Sequence, residues 1–309
     1  MRSGQRGVAL VLVMWIAVLL TVIAGSFMIE ARTDTLVVRN SMSNARAETA
    51  ADAGVHRAVY ELYRTDNSPE AWRRDGGTRE WAFDGVPLRI ELRDESGKID
   101  LNTASEPLLR GLFLSVGLTD EETAKLLDAI LDWRDPDTLK RVNGAEEPEY
   151  RGAGLTYKPA NAPFQAIEEL QLVLGMRPHI YRRIAPLVTV FSRQAGVNAQ
   201  VASREVLLAI PGVTTAIVDE FIAQREAARA AGLPGPILRE AAAFNAGLTM
   251  AATIRSEARL DDGTTFVREA VALLRPTPRR PVTFLAWREG STSALEQPVE
   301  DANNTTTRR

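Results

Sequence analysis

Gly7–Ile29 reads GVALVLVMWIAVLLTVIAGSFMI, 23 consecutive residues without a charged side chain. At about 1.5 Å per residue, a helix of that length spans roughly 34 Å, enough to cross the hydrocarbon of one bilayer. Arg2 and Arg6 precede the run with no acidic residue between them. Basic residues stay on the cytoplasmic side, so the asymmetry keeps the N-terminus inside and sends the rest across the membrane as a single-pass protein with an extracytoplasmic body. A cleaved secretory signal is the competing reading, with Ala24-Gly25-Ser26 as its small-residue site. The run exceeds the usual signal core of about 7–15 residues, however. The helical pattern also continues past the membrane edge: from Glu30 to Arg64 there is no proline and one glycine, and Ala51, Val55, Val59 and Leu62 step by four, four and three. The spacing predicts one long helix, with residues 8–29 in lipid and 30–65 outside it.

The 309 residues carry 37 basic and 40 acidic side chains, for a formal charge of −3, so attraction to nucleic acid or an anionic membrane would need a local patch. There is no cysteine, which removes disulfides, zinc-thiolate sites, iron–sulfur clusters and cysteine nucleophiles. The only histidines, His56 and His179, are too far apart in sequence for a paired metal motif. No P-loop, G-x-S-x-G or H-E-x-x-H pattern occurs, and the chain reads as a non-enzyme.

Beyond the helix, Leu88–Arg93 alternates as LRIELR and runs into the turn Asp94-Glu95-Ser96-Gly97. Ala252–Leu260 and Thr265–Leu274 flank Asp261-Asp262-Gly263-Thr264 as a hairpin, and Thr283–Trp287 reads as a further strand. Residues 99–248, between these strands, are patterned as helices with short Gly/Pro loops. The fold class expected is α+β: a long N-terminal helix with an antiparallel sheet from residues 66–98 and 249–288, interrupted by an α-helical insertion at 99–248. The polar tail, 289–309, is expected to be disordered.

The insertion contains a repeated pattern. Leu101-Asn102-Thr103-Ala104-Ser105 leads through Leu108, Leu109 and Leu112 to Gly117-Leu118-Thr119, and Val197-Asn198 leads through Ala202-Ser203, Val206, Leu207 and Ile210 to Gly212-Val213-Thr214. A weaker third copy is Phe164–Leu170 through Gly175-Met176. In each copy Asn, Thr or Ser can cap the first helix, and a glycine can end it.

From Asp94 to Tyr150 there are 14 acidic residues against 6 basic ones. In Asp132–Glu149, DWRDPDTLKRVNGAEEPE, Asp135 and Asp137 follow a helix, and Glu146, Glu147 and Glu149 return after a Gly turn. Carboxylates converging from two arms of one loop suit calcium, which takes oxygen ligands at about 2.3–2.6 Å. The spacing is not that of an EF-hand. A glycosidase-like carboxylate pair would need a groove with sugar-stacking aromatics, and Trp133 falls at a core position on helical spacing.

The short basic leader ending at Gly7, the apolar helix starting at Val8 and its polar extension resemble the N-terminus of type IV pilins and type II secretion pseudopilins. The resemblance implies a leader at residues 1–7, cleavage after Gly7 by the prepilin peptidase and methylation of Val8. Most members carry glutamate at the fifth mature position, where this chain has Leu12. That departure, with the sheet interrupted by an α-domain, resembles the minor pseudopilin K branch over nearly the whole chain apart from the tail. The resemblance implies a subunit at the tip of the type II pseudopilus that starts and caps its assembly for protein export across the outer membrane. It also implies an anchor in the inner membrane and a periplasmic body. Implied partners are the minor pseudopilins of I, J and H type, the major pseudopilin, the prepilin peptidase and the inner-membrane assembly platform.

K subunits carry an Asp-x-Asp, a Gly-Ala-Glu-acidic stretch and a Tyr as a structural calcium loop. The matching residues here are Asp135, Asp137, Glu146, Glu147 and Tyr150. The expected ligands are Asp135, Asp137, Glu146 and Glu147, with Asp132, Asn143 and Glu149 as lesser candidates. The rival reading is a membrane-anchored periplasmic helix-hairpin-helix DNA-binding protein, since the repeats are helix-hairpin-helix-like. Such modules hold phosphates with hairpin amides and nearby Lys or Arg. Pro211–Ala216 has no second glycine or basic residue, Asp219 and Glu220 follow it, and Asp120, Glu121 and Glu122 follow the first hairpin, which argues against nucleic acid.

Overall fold

The computed structural model describes residues 6–64, 71–275 and 281–291. The apolar run and its extension form one helix, α1, from Arg6 to Tyr63. Its 58 residues extend about 87 Å at 1.5 Å each. Residues 1–5 of the leader and the tail from residue 292 lie outside the described residues.

Five antiparallel strands form one sheet: β1 (Asp75–Phe83), β2 (Val86–Asp94), β5 (Ala251–Arg259), β6 (Thr265–Leu274) and β7 (Val282–Glu289), paired in the order β1-β2-β5-β6-β7. The alternation of β2 appears as buried Val86, Leu88, Ile90 and Leu92 between exposed neighbours. Strand β1 was not expected from sequence. Phe83 pairs with Val86 across a two-residue turn in which Asp84 and Gly85 take φ of 47° and 74°. Both turn residues at positive φ match the right-handed twist of the strands, so Asp-Gly is the local signal for this hairpin. Glu289, placed in the tail by the sequence reading, instead closes β7.

The outer half of α1 lies on β2, β5 and β6 through Ala47, Ala50, Ala51, Val55 and Ala58, all buried. Small side chains let the helix approach closely: a Cβ on Gly54 would run into the Ser256 hydroxyl. Arg268 of β6, 7% exposed, fixes the helix along its axis by donating to Asp52 Oδ1 and Glu48 Oε1, each at 2.6 Å.

Residues 95–250 leave the sheet after β2 and re-enter at β5, and Asp94 and Ala252 are cross-strand partners. The segment builds its own apolar core around Leu108, Leu112, Phe113, Ile130, Tyr150 and Leu207. Its helices are α2 (Glu106–Ser115), α3 (Asp120–Arg134), α4 (Glu147–Gly152), α5 (Pro178–Ile184), α6 (Arg204–Leu208) and α7 (Thr215–Ala230). Two features depart from an all-helical insertion. A short parallel pair, β3 (Ile99–Asp100) with β4 (Val188–Thr189), ties its two halves together. Ile167–Leu172, in the weakest of the three similar segments, is a 3-10 turn. Thr119, Ser203 and Thr214 cap α3, α6 and α7 through their side chains, whereas Ser105 makes no such bond to α2.

The crossover Asp94–Asp100 joins the two cores through buried carboxylates. Asp94 accepts from the amides of Ser96 (2.9 Å) and Thr249 (3.1 Å) and pairs with Arg74 at 2.9 Å. Glu95 pairs with Lys98 at 2.8 Å and accepts from the hydroxyls of Thr189 in β4 and Thr253 in β5. Asp100 accepts from the amides of Asn102 (2.9 Å), Thr103 (3.1 Å) and Arg193 (2.8 Å).

Burial alone would raise the Glu95 carboxyl, but the Lys98 charge and the hydrogen bonds from Lys98, Thr189 and Thr253 outweigh it and hold the pKa below 4.5. A carboxyl lowered in the folded state contributes stability that is present above its unfolded pKa and lost as pH falls through the folded value. Glu95→Gln should therefore destabilise the protein at neutral pH by about 1–3 kcal/mol through unsatisfied partners. It should also flatten the loss of stability as pH falls below about 4.5, read as urea midpoint against pH.

Candidate functional site

The acidic loop starts where α3 ends. Asp132, in the last turn of α3, is fully buried and accepts from the amides of Arg141 (3.2 Å) and Ala145. The chain passes so close that a Cβ on Gly144 would occupy the space of the Asp132 carboxylate. Asp132 thus folds the outgoing and returning arms of the loop onto each other. Behind it, Trp133 lies between Phe164 (ring centroids 6.0 Å) and Tyr150 (6.2 Å), and the Tyr150 hydroxyl accepts from Leu174 N at 3.0 Å. Burial pushes the Tyr150 phenol up to about 12, so it is a neutral core residue.

This fold brings Asp132, Asp135, Asp137 and Glu146 close enough to act on one another. Burial raises the Asp135 carboxyl, and neighbouring Asp137 raises it further. Burial likewise raises Glu146, partly offset by a hydrogen bond from the Asn161 side chain, with Asp132, Asp135 and Asp137 adding repulsion. Asp135 Oδ1, Glu146 Oε1 and the side-chain oxygen of Asn161 are buried without a hydrogen-bond partner. Asn161, at φ 46°, donates to the Asp137 carbonyl at 2.5 Å, which sets it beside these carboxylates. Its only sequence signal is its place in the turn Pro159-Ala160-Asn161-Ala162-Pro163.

The remaining candidates face elsewhere. Glu147 is paired with Arg151 and, at 3.8 Å, with Lys158. Glu149 accepts from Lys140 (2.9 Å) and the Glu146 amide (3.0 Å), and Asn143 donates to Asp128 at 3.1 Å. Among the described residues no three of His, Cys, Asp or Glu are grouped at the spacing of a ready metal site. The three orphaned oxygens fit a hard cation by chemistry, and closing on one would require the loop carboxylates to move inward.

The other functional region is the inner half of α1. Gly7 and Val8 lie in its first turns, and Leu10–Met28 presents apolar side chains outward on every face, with Leu12 57% exposed. The helix is long and apolar enough to cross a membrane, and none of its most apolar window is buried against the chain.

A long apolar-to-polar helix, a five-stranded sheet and an α unit between two adjacent strands invite comparison with known proteins. Residues 90–193 match the family model for protein K of the type II secretion system. Type II secretion system protein K of Pseudomonas aeruginosa is 29% identical over 248 residues, 71% of this chain and 73% of that one. These matches make the chain similar to protein K of the type II secretion system. Protein K of Klebsiella pneumoniae is 25% identical over 253 residues, 74% of this chain and 77% of that one. The crystal structure of the GspK-GspI-GspJ complex from enterotoxigenic Escherichia coli contains a chain of the same fold, with TM-score 0.58 and 16% identity, covering 85% of this chain and all of that chain. Proteins of the K family are structural components of the secretion apparatus and not enzymes.

Gly144→Ala tests the loop's closure. Its Cβ should displace the Asp132 carboxylate and cost about 1–3 kcal/mol. Gly152→Ala, at a position with nothing within 4 Å of the new methyl, is the control. Thermal denaturation should separate the two.

Proposed function

We propose that this protein is a member of the K family and the tip subunit of a type II pseudopilus, which starts and caps fibre assembly for protein export. The carrying observation is the α unit of residues 95–250, which emerges from between β2 and β5 at the end of the sheet where α1 finishes. A unit of that size beyond the end of the helix does not permit subunit after subunit to stack along a narrow fibre, whereas a terminal position leaves it room. Leu12 supports the same reading. A carboxylate in hydrocarbon is costly unless paired, and a subunit with no neighbour above it has no amino terminus to neutralise. Gly7 would mark cleavage and Val8 the methylated mature N-terminus. The N-terminus faces the cytoplasm, and the sheet and α unit face the periplasm. The partners are minor pseudopilins of the I and J kind, with which the structural relative was crystallised, followed by the H-type and major pseudopilins. The peptidase and the inner-membrane platform act earlier. The DNA-binding alternative is not favoured.

Calcium is proposed as the structural ion of the acidic loop, held by Asp135, Asp137 and Glu146, with the Asn161 oxygen and buried Asp132 completing or bracing the site. Glu147 joins only by leaving Arg151 and Lys158. Bound there, calcium would neutralise the mutual repulsion and lock the loop between α3 and α4.

The first test is the intact mass and N-terminal sequence of protein recovered from membranes with and without the prepilin peptidase. A peptidase-dependent start at Val8 is expected. A start near Phe27, or indifference to the peptidase, would sink the pseudopilin reading for this chain.

The second concerns the ion. In metal-free protein Asp135 and Glu146 are raised above their unfolded values, so they oppose folding at neutral pH, and this penalty fades as pH falls through the folded value. Calcium at a hundredfold excess over its Kd should stabilise the wild type by about 2.7 kcal/mol. Glu146→Gln should melt higher than wild type in chelator yet gain nothing from calcium. A wild-type melting temperature indifferent to both would refute the assignment.

A further inference from the structure

The turn joining α2 to α3 faces the short helix α5, and a cleft of about 180 Å³ opens between them, lined among others by Gly117, Glu122, Arg177, His179 and Arg183. Gly117 has φ +88°, a conformation that favours glycine, and Arg183 Nη1 lies 3.8 Å from where its Cβ would stand. The missing side chain leaves the guanidinium against bare backbone with the cleft open beside it.

The charge balance of the cleft is positive. Glu122 is the only acid in the lining, and both its oxygens are occupied: Oε1 by Arg177 Nη2 at 2.5 Å, Oε2 by the Thr119 amide and hydroxyl, each at 3.1 Å. These bonds, led by the Thr119 amide, hold the Glu122 carboxyl at about 2. Arg177 spends one of its five donors on it and keeps the rest. Among the described residues Arg183 and His179 make no side-chain hydrogen bond or ion pair. Several other arginines of the α unit are engaged, as Arg110 with Asp120, Arg141 with Asp128, Arg204 with Asp219 and Arg225 with the Ala199 and Ala202 carbonyls, and Arg193 and Arg239, unpaired among the described residues, do not line this cleft. Two guanidinium groups and an imidazole thus line one small space beside one carboxylate that is already used.

We propose that this cleft binds a single phosphate or sulfate group, either a free anion or the end of a phosphorylated lipid head group. Forked guanidinium donors match a tetrahedral oxyanion, and the cleft has room for one such group. An extended phosphodiester chain is a poorer fit, because the side chains of Asp120 and Glu121, 81% and 79% exposed, stand on the same turn. The site is separate from the acidic loop and independent of the assembly role.

The test uses the full chain in maltoside detergent, with the imidazole resonances of its two histidines as reporters. His56 packs against Phe284 and Trp287, away from the cleft, and serves as the internal reference. Titration with inorganic phosphate should move the His179 resonance, assigned with His179→Gln, along a saturable curve with a midpoint of about 1 mM, while His56 stays still. Sodium chloride at matched ionic strength should not reproduce the shift. Arg183→Gln, whose side chain is exposed and unpaired, should leave the melting temperature unchanged and weaken phosphate about tenfold. No saturable shift, an equal shift in Arg183→Gln, or parallel movement of His56 would overturn the proposal. Phosphatidylcholine nanodiscs with and without phosphatidic acid separate the sources. Saturation at lower phosphate with phosphatidic acid than with the free ion identifies a head group, and the reverse identifies the anion. A short DNA duplex that binds more tightly than either would overturn the restriction to a single phosphate.

Discussion

Three buried carboxylates between the end of β2 and the end of β3 hold the two halves of this protein together. Asp94, Glu95 and Asp100 are each about 1% exposed. A buried charge is tolerated only when donors replace the water it loses, and here the donors come from distant parts of the chain. Asp94 draws on Arg74 ahead of β1 and on Thr249 just before β5, Glu95 on β4 and β5, and Asp100 on the turn after β4. The contacts are satisfied only when the sheet and the α unit stand in one mutual arrangement. Gly97 adds a steric condition, since a Cβ there would press on the Val201 carbonyl at 2.7 Å. The apolar cores could each form separately, and the polar crossover determines how they meet.

The helix α1 divides its surface between two environments. Its outer half presents alanines and Gly54 to the sheet and is pinned lengthwise by Arg268, while its inner half offers branched and long apolar side chains to no part of the chain. Small residues suit a close, rigid seam against strands. Large ones suit hydrocarbon, where contact area with lipid or with neighbouring helices is what counts. One continuous helix therefore connects a candidate membrane anchor to a fixed lever on the sheet.

Much of this was legible from periodicity. The 3.6-residue stripe of α1, the two-residue alternation of β2, and the β5–β6 hairpin each carried their own signal, because one face of each element is buried. Strand β1 escaped because it is an edge strand, half exposed and entered through Gly76 and Gly77, so its pattern is weak and only the Asp84-Gly85 turn betrays it. Six residues at Ile167–Leu172 cannot distinguish an α-helix from a 3-10 turn by spacing alone. In the acidic loop, composition drew attention to the right segment but could not separate adjacent glutamates: Glu146 turns inward and Glu147 outward to Arg151 and Lys158. Asn161 enters through a tertiary contact, and no local pattern could have named it.

The placement of the α unit between neighbouring antiparallel strands has a mechanical consequence. Both of its tethers leave the sheet at the same end, next to the Asp94–Ala252 pair. A pull on the α unit along the strands therefore draws on β2 and β5 in the same direction, loading their ladders to β1 and β6 in shear while the β2–β5 ladder between them carries little relative displacement. Both tethers share one anchoring point, and the ion pair of Asp94 with Arg74 sits at the rung where any load on the α unit enters the sheet.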